Sequence, residues 1–169
     1  MTLMDLKKFG KKADKKKDKL IKFLKKLDKI VPHDLPKVVK EVDKTVWEDV
    51  HCLECANCCK TMTPTYTKKD IGRISAHFNM TPKDFKAKWL YKDETGDWMN
   101  TATPCQFLDE KNMCTIYEIR PEDCAGFPHH KKKPFNLYND TFIGNVHRCP
   151  ATYELVNRLR KRVEKEYEW

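Results

Sequence analysis

The sequence predicts a mostly α-helical protein with short β-hairpins: one small, metal-stabilised cysteine-cluster domain preceded by a basic N-terminal helix. Three observations predict it. Apolar residues recur at three- and four-residue spacing over most of the 169 residues, the period of helices with one buried face. Eight cysteines lie between Cys52 and Cys149, four of them within eight residues. The net charge of +9 is confined to one end: residues 1–40 hold 14 Lys against 5 Asp, and the remainder balances 20 Lys and Arg against 20 Asp and Glu. With 40% apolar residues and 18 aromatics the chain has enough to fold. Its charged part is an arm, expected over residues 1–33, and its core and cysteines belong to residues 34–169.

Each element has its own reason. In the arm Leu20, Leu24, Leu27 and Val31 fall on one helical stripe, with Ile21 and Phe23 beside it and lysines on the other face. Asp34 is placed to cap the next helix, with Pro36 in its first turn and Leu35, Val38, Val39, Val42, Val46 and Val50 as its inner face. Thr67 with Asp70, and Thr81 with Asp84, are capping-box variants opening two further helices. Ile71, Ile74 and Phe78 face inward in the first, where His77 lies near the apolar face and reads as structural, and Phe85, Trp89 and Leu90 face inward in the second. Cys105–Leu108 and Cys114–Tyr117 flank a polar turn and read as a hairpin. A second hairpin is expected over Phe135–Val146, around Tyr138-Asn-Asp140. Thr152 opens the last helix, lined by Tyr153, Val156, Leu159, Val163 and Tyr167.

The composition also excludes. No apolar run approaches the length of a membrane span. Residues 1–18 carry lysines with no apolar stretch after them, so a secretory leader is not expected and a cytoplasmic setting is. In a reducing compartment eight cysteines point to metal rather than disulfides, and adjacent Cys58 and Cys59 are poorly placed to bridge each other. The five glycines form no phosphate-binding loop, and no nucleophile elbow occurs.

The run Cys52-Leu-Glu-Cys55-Ala-Asn-Cys58-Cys59 carries the chemistry. A two-residue gap lets both sulfurs of a C-x2-C unit turn toward one metal. Two gaps in succession bring three sulfurs to one centre, the spacing with which bacterial ferredoxins hold an iron–sulfur cube, completed there by a remote Cys-Pro. Cys149-Pro150 is such a pair, and Cys105, Cys114 and Cys124 are further remote thiols. All eight cysteines are therefore candidate ligands. A plainer reading, that one or two remote thiols are simply buried, does not explain four beside Glu54, Asn57 and Lys60. The triplet leans toward iron–sulfur, with [4Fe–4S] the expected form, and zinc stays open. His51 and His147 are candidate ligands, more often supporting donors at such places. His129 and His130 precede Lys131-Lys-Lys133 and read as a solvated loop, and Arg120 as packing beside Tyr117.

The run Cys52–Cys59 resembles the signature of the YkgJ-type CxxCxxCC cysteine-cluster family of zinc- or iron-chelating domains. The resemblance continues through Thr67-Lys-Lys-Asp-Ile-Gly-Arg-Ile-Ser, Thr103-Pro-Cys105-Gln-Phe-Leu-Asp109, Cys114-Thr-Ile-Tyr-Glu-Ile-Arg-Pro121, Cys124-Ala-Gly-Phe-Pro128 and Cys149-Pro150. It covers about residues 50–151 and leaves the arm outside. Ala56 stands where the family often has glycine, a turn position that favours positive φ. The resemblance implies a domain that chelates zinc or iron through cysteine. A similar signature in flagellin lysine N-methylases is linked to an iron–sulfur cluster, but this chain lacks the large methylase region, and that activity is not carried over.

The expected function is thus metal binding through thiolates, non-catalytic by itself. The alternatives are a redox or modification enzyme, or its accessory, with an open metal position, and an interaction module stabilised by zinc. For the arm, weak contact with anionic membranes or nonspecific nucleic acid is the expectation. Lysine without arginine argues against direct base readout.

Overall fold

Asp5 accepts the amide of Lys8 at 2.9 Å and so opens the first helix of the computed structural model, which describes residues 5–168. Residues 1–4, the start of the expected arm, lie outside that description. Helix α1 spans Leu6–Leu27 and α2 Leu35–Asp49. Two short helices, α3 (Cys52–Cys55) and α4 (Asn57–Thr61), follow, joined by Ala56. Strand β1 (Thr65–Tyr66) leads into α5 (Lys68–His77) and α6 (Pro82–Trp89). Strands β2 (Leu90–Lys92) and β3 (Trp98–Asn100) precede α7 (Glu122–Gly126), α8 (Asn139–Asn145) and α9 (Pro150–Glu166). None of the described helices is long and apolar enough to cross a membrane.

The chain forms two compact units, one of Met1–Cys52 with Pro128–Trp169, the other of Leu53–Phe127. In the first, α9 is the central helix, packed by α1, α2 and α8. Its Tyr153, Val156, Leu159 and Val163 are wholly buried, as are Leu20, Leu24 and Leu27 of α1 and Val46 of α2. The apolar stripe of α1 is therefore spent on this core, and the lysines stay outside. Val31 is a correction: α1 stops at Leu27, the turn after it breaks the 3.6-residue register, and Val31 is 47% exposed. A second correction concerns Asp34, whose carboxylate makes no cap bond to α2 and instead accepts the Tyr167 hydroxyl.

The hairpin expected over Phe135–Val146 is not formed. That segment is a 3-10 turn, Phe135–Tyr138, running into α8. Phe135, Asn139, Phe142 and Val146 are buried at helical spacing, and Phe135 stacks on Phe142 with ring centroids 4.4 Å apart. Over so short a stretch the two periods are hard to separate, and packing chose the helical one. Asn139 then donates to the Leu24 carbonyl at 3.0 Å, a second donor on an oxygen that already accepts the Asp28 amide at 3.3 Å, and so ties α8 to the end of α1. His130 is also corrected. It is 5% exposed rather than solvated, with Nδ1 2.8 Å from Asp43 Oδ1, which also accepts Trp47 Nε1–H at 3.0 Å. The last helix begins at Pro150, two residues before Thr152, with Cys149 as its N-cap.

The second unit is built on aromatic packing. Tyr66, Ile71, Ile74, Phe85, Leu90, Phe107 and Ile116 are its buried cluster, with Phe78, Trp89, Trp98, Cys105 and Cys114 packed against it. Phe107 lies stacked on both Phe78 (5.7 Å) and Phe85 (6.4 Å). Both predicted N-terminal caps form: Thr67 and Asp70 make a full capping box, and Thr81 accepts the Asp84 amide. His77 is exposed and meets the Phe78 ring edge-on, with centroids 5.1 Å apart. The strands form an antiparallel sheet in the order β1-β3-β2, with Tyr66 opposite Trp98 and Leu90 opposite Asn100. Gly96, at φ +93°, makes the turn between β2 and β3. The hairpin expected around Asp109–Asn112 is reduced to a single bridge, Leu108 to Cys114, tied by Asp109 accepting the Met113 amide.

Candidate metal centre

Five thiols of the second unit come from four separate segments. Cys58 and Cys59 lie on α4, Cys105 follows β3, Cys114 is at the isolated bridge, and Cys124 is on α7. All eight cysteines are thiols, and none is bridged.

Local structure explains how each is turned. Ala56 takes φ +48°, the left-handed conformation, and so reverses the chain between α3 and α4 to bring Cys58 and Cys59 round. The Cys105 amide donates to the Cys59 carbonyl at 2.8 Å, joining two of the four segments directly. Cys105 and Cys114 open matching turns, in which the amide three residues on, Leu108 or Tyr117, donates to their carbonyl at 3.0 or 3.3 Å, and the amides of Phe107 and Ile116 favour the thiolates. Asp70 places Cys124. Its buried carboxylate accepts the Thr67 amide (3.0 Å) and hydroxyl (2.7 Å) at the start of α5. It also accepts the Glu122 amide (3.1 Å) at the start of α7. Asp123 adds a second tie, accepting the Thr65 amide of β1 at 3.2 Å.

The thiols feel one another. Burial pushes Cys124 up strongly, and negative charge on Cys59, Cys105 and Cys114 pushes it further. Burial likewise raises Cys105 and Cys114, with Cys59 adding to both. The backbone amides pull the other way, joined by Asn100 at Cys105 and by Arg120 at Cys114. Tyr66 is also raised by burial and by Cys105, Cys124 and Cys114. Cys59 is the exception: the Cys58 thiol, with Sγ 3.9 Å away, holds it down at about 7. Half-buried sulfurs that resist ionising together are a donor set whose charge a cation would relieve.

The other expected ligands are distributed differently. Cys55 is buried in α3, and Cys52 and His51 are exposed. Cys52 and Cys149 belong to the first unit, where Cys149 Sγ accepts the Thr152 amide at 3.5 Å. His147, in the same unit, is half-buried with Nδ1 unpartnered, and burial pushes it down. Arg120 Cζ lies over the Tyr117 ring, 3.8 Å from its centroid. Among the described residues no three His, Cys, Asp or Glu side chains are closed around one point. In donor type the residues fit a thiophilic metal: soft sulfurs in a half-buried setting, two of them beside backbone amides that favour the thiolate.

Sequence reasoning missed Asn100, Tyr66 and Gln106. The Tyr66 hydroxyl donates to Asn100 Oδ1 at 2.6 Å, and Gln106 Nε2 donates to the same oxygen at 3.0 Å. Asn100 Nδ2 then reaches Cys105 Sγ at 3.3 Å. Only the sheet, unforeseen in the sequence, puts β1 and β3 side by side so that these residues meet.

Neither the curated proteins nor the solved structures hold a significant match to the chain. One family model does match, over residues 51–143, more than half of the chain and inclusive of seven of its cysteines from Cys52 to Cys124. The chain belongs to the CxxCxxCC family, whose description is "Putative zinc- or iron-chelating domain".

Proposed function

We propose that the protein binds one thiolate-held metal centre in its second unit, through Cys58, Cys59, Cys105, Cys114 and Cys124, and that this centre ties the unit together. The observation that carries the proposal is that the fold gathers half-buried Cys59, Cys105, Cys114 and Cys124, separated by up to 65 positions of chain: the Cys105 amide donates to the Cys59 carbonyl at 2.8 Å, and a charge on Cys59 opposes ionisation of the other three. Cys55 and Cys52 adjoin the set in the signature run. Cys149 and the histidines are left out of the proposed set.

An iron–sulfur cluster is the first form of the proposal. It rests on the C-x2-C-x2-C triplet. Zinc is a second form with its own observation. Cys58 and Cys59 Sγ are 3.9 Å apart, close to the edge of about 3.8 Å of a zinc tetrahedron with bonds of about 2.3 Å. In either form the role is binding rather than turnover. The unit offers six thiols, Cys55, Cys58, Cys59, Cys105, Cys114 and Cys124, more than one four-coordinate centre takes, whereas catalytic metals keep a position open.

The test is elemental analysis and a visible spectrum of protein purified without oxygen. Iron with acid-labile sulfide and a brown colour supports the cluster. A colourless protein with one zinc per chain supports zinc. Protein with neither metal, and with an unchanged melt after chelator treatment, refutes the proposal.

A further inference from the structure

Cys105 has a side-chain donor of its own. Asn100 is 1% exposed and ends β3, five residues before Cys105, with Nδ2 3.3 Å from the sulfur. An amide side chain can present either its oxygen or its nitrogen to a neighbour. Here the sulfur makes the choice: a ligating thiolate only accepts, so Nδ2 faces it, and Oδ1 accepts from the Tyr66 hydroxyl and Gln106 Nε2, at 2.6 and 3.0 Å. With two donors on its oxygen, the amide can offer the sulfur only N–H. Tyr66 is itself held, 5% exposed, with its ring 6.3 Å from that of Phe85 and its backbone paired to β3 opposite Trp98.

We propose that Asn100 is a positioning residue for the metal centre: locked by Tyr66 and Gln106, it donates N–H to Cys105 Sγ and sets both the direction of that sulfur and its donor strength. The inference rests on Cys105 being a ligand, the reading given above. A hydrogen bond to a ligating thiolate withdraws electron density from sulfur and fixes its orientation, and partners of this kind alter metal affinity by roughly 10–100-fold when removed. The arrangement also explains why a polar amide is buried so completely beside an aromatic core: its oxygen and one N–H are satisfied.

Asn100→Asp separates positioning from folding. It keeps the size and an oxygen for Tyr66 and Gln106, and replaces the N–H aimed at sulfur with a carboxylate oxygen. The probe is cobalt(II), added to the metal-free full chain, with affinity read by competition against a chromophoric chelator. The energy of the sulfur-to-cobalt charge-transfer band is the second readout, one that a purely structural role would not move. For Asn100→Asp we expect at least tenfold weaker binding and a band shifted to lower energy, because the sulfur becomes more electron-rich. Tyr66→Phe, which frees the amide but leaves its N–H in place, should weaken binding by a few-fold. Asn100→Asp with parental affinity and band energy overturns the inference and leaves the metal reading standing. Should Asn100→Asp fail to fold, Tyr66→Phe decides: parental binding there overturns the inference. A parent chain that shows no sulfur-to-cobalt band and assembles no iron–sulfur cluster with iron and sulfide under anaerobic conditions overturns the metal reading itself, and the inference with it.

Discussion

Replacing Asp70 by Asn tests how the thiol-bearing segments are tied together. The carboxylate is fully buried. Oδ2 accepts the Thr67 amide and hydroxyl, while Oδ1 accepts Arg73 Nη2 at 2.6 Å and the Glu122 amide at 3.1 Å. An asparagine has one acceptor oxygen. With its oxygen toward Arg73 and Glu122, its NH2 faces the Thr67 amide, whose bond is lost, and the Thr67 hydroxyl, which must turn from donor to acceptor, so two hydrogen bonds to a charged acceptor are lost. At about 1.5 kcal/mol each this is about 3 kcal/mol. The Arg73 pair adds less than about 1 kcal/mol, since that side chain is 38% exposed. Burial pushes the Asp70 carboxyl up, but the bonds from Thr67, Arg73 and the Glu122 amide more than reverse this and leave it below the usual range. A depressed folded-state pKa gives stability that is present above about pH 4 and lost as pH falls through the folded value. Urea denaturation followed by tryptophan fluorescence should therefore show Asp70→Asn about 3 kcal/mol less stable at pH 7, with the gap narrowing below pH 4. A variant within about 0.5 kcal/mol of the parent, with the same acid profile, would refute the reasoning.

Ala56→Gly should raise stability slightly. It relieves about 1–2 kcal/mol of left-handed strain at φ +48° against about 0.5–1 kcal/mol of added chain entropy, so a urea midpoint below the parent's would contradict the turn geometry. Leu24→Ala, at a wholly buried position of α1, should cost about 2–5 kcal/mol, and a loss under 1 kcal/mol would mean that α1 is an undocked arm. Phe85→Ala should cost about 3–5 kcal/mol by calorimetry and lower metal retention with it, because the ring packs on Phe107 beside Cys105. The exposed lysines of α1 are expected to adsorb to anionic vesicles by charge alone, because its apolar face is buried. Sedimentation should show that binding fall steeply with salt, and salt-insensitive binding would count against it.

The helices were legible where a long period or a cap announced them. Leu35, Val38, Val42 and Val46 mark α2, and Thr67 with Asp70 marks α5, because both patterns are local. The three-stranded sheet was not, since β1 has two residues and pairs with β3 across more than thirty positions of chain. Phe135–Val146 misread for a related reason: Tyr138-Asn-Asp140 has turn chemistry, while Asn139 serves instead to bond the end of α1. At the site, residue type and spacing disclosed the cysteines. What orients them lay in Asp70, Asn100 and Tyr66, whose contacts arise only once distant segments meet. The positive φ of Ala56 was foreseeable as a demand of the turn, and the chain meets it without glycine.

The most direct test of a thiolate centre in the second unit is X-ray absorption at the edge of the metal that copurifies. The account predicts a shell of about four sulfurs at about 2.3 Å, with sulfur lost from it in Cys59→Ser and in Cys124→Ser. A shell of nitrogen and oxygen, or sulfur coordination unchanged in both variants, would contradict it.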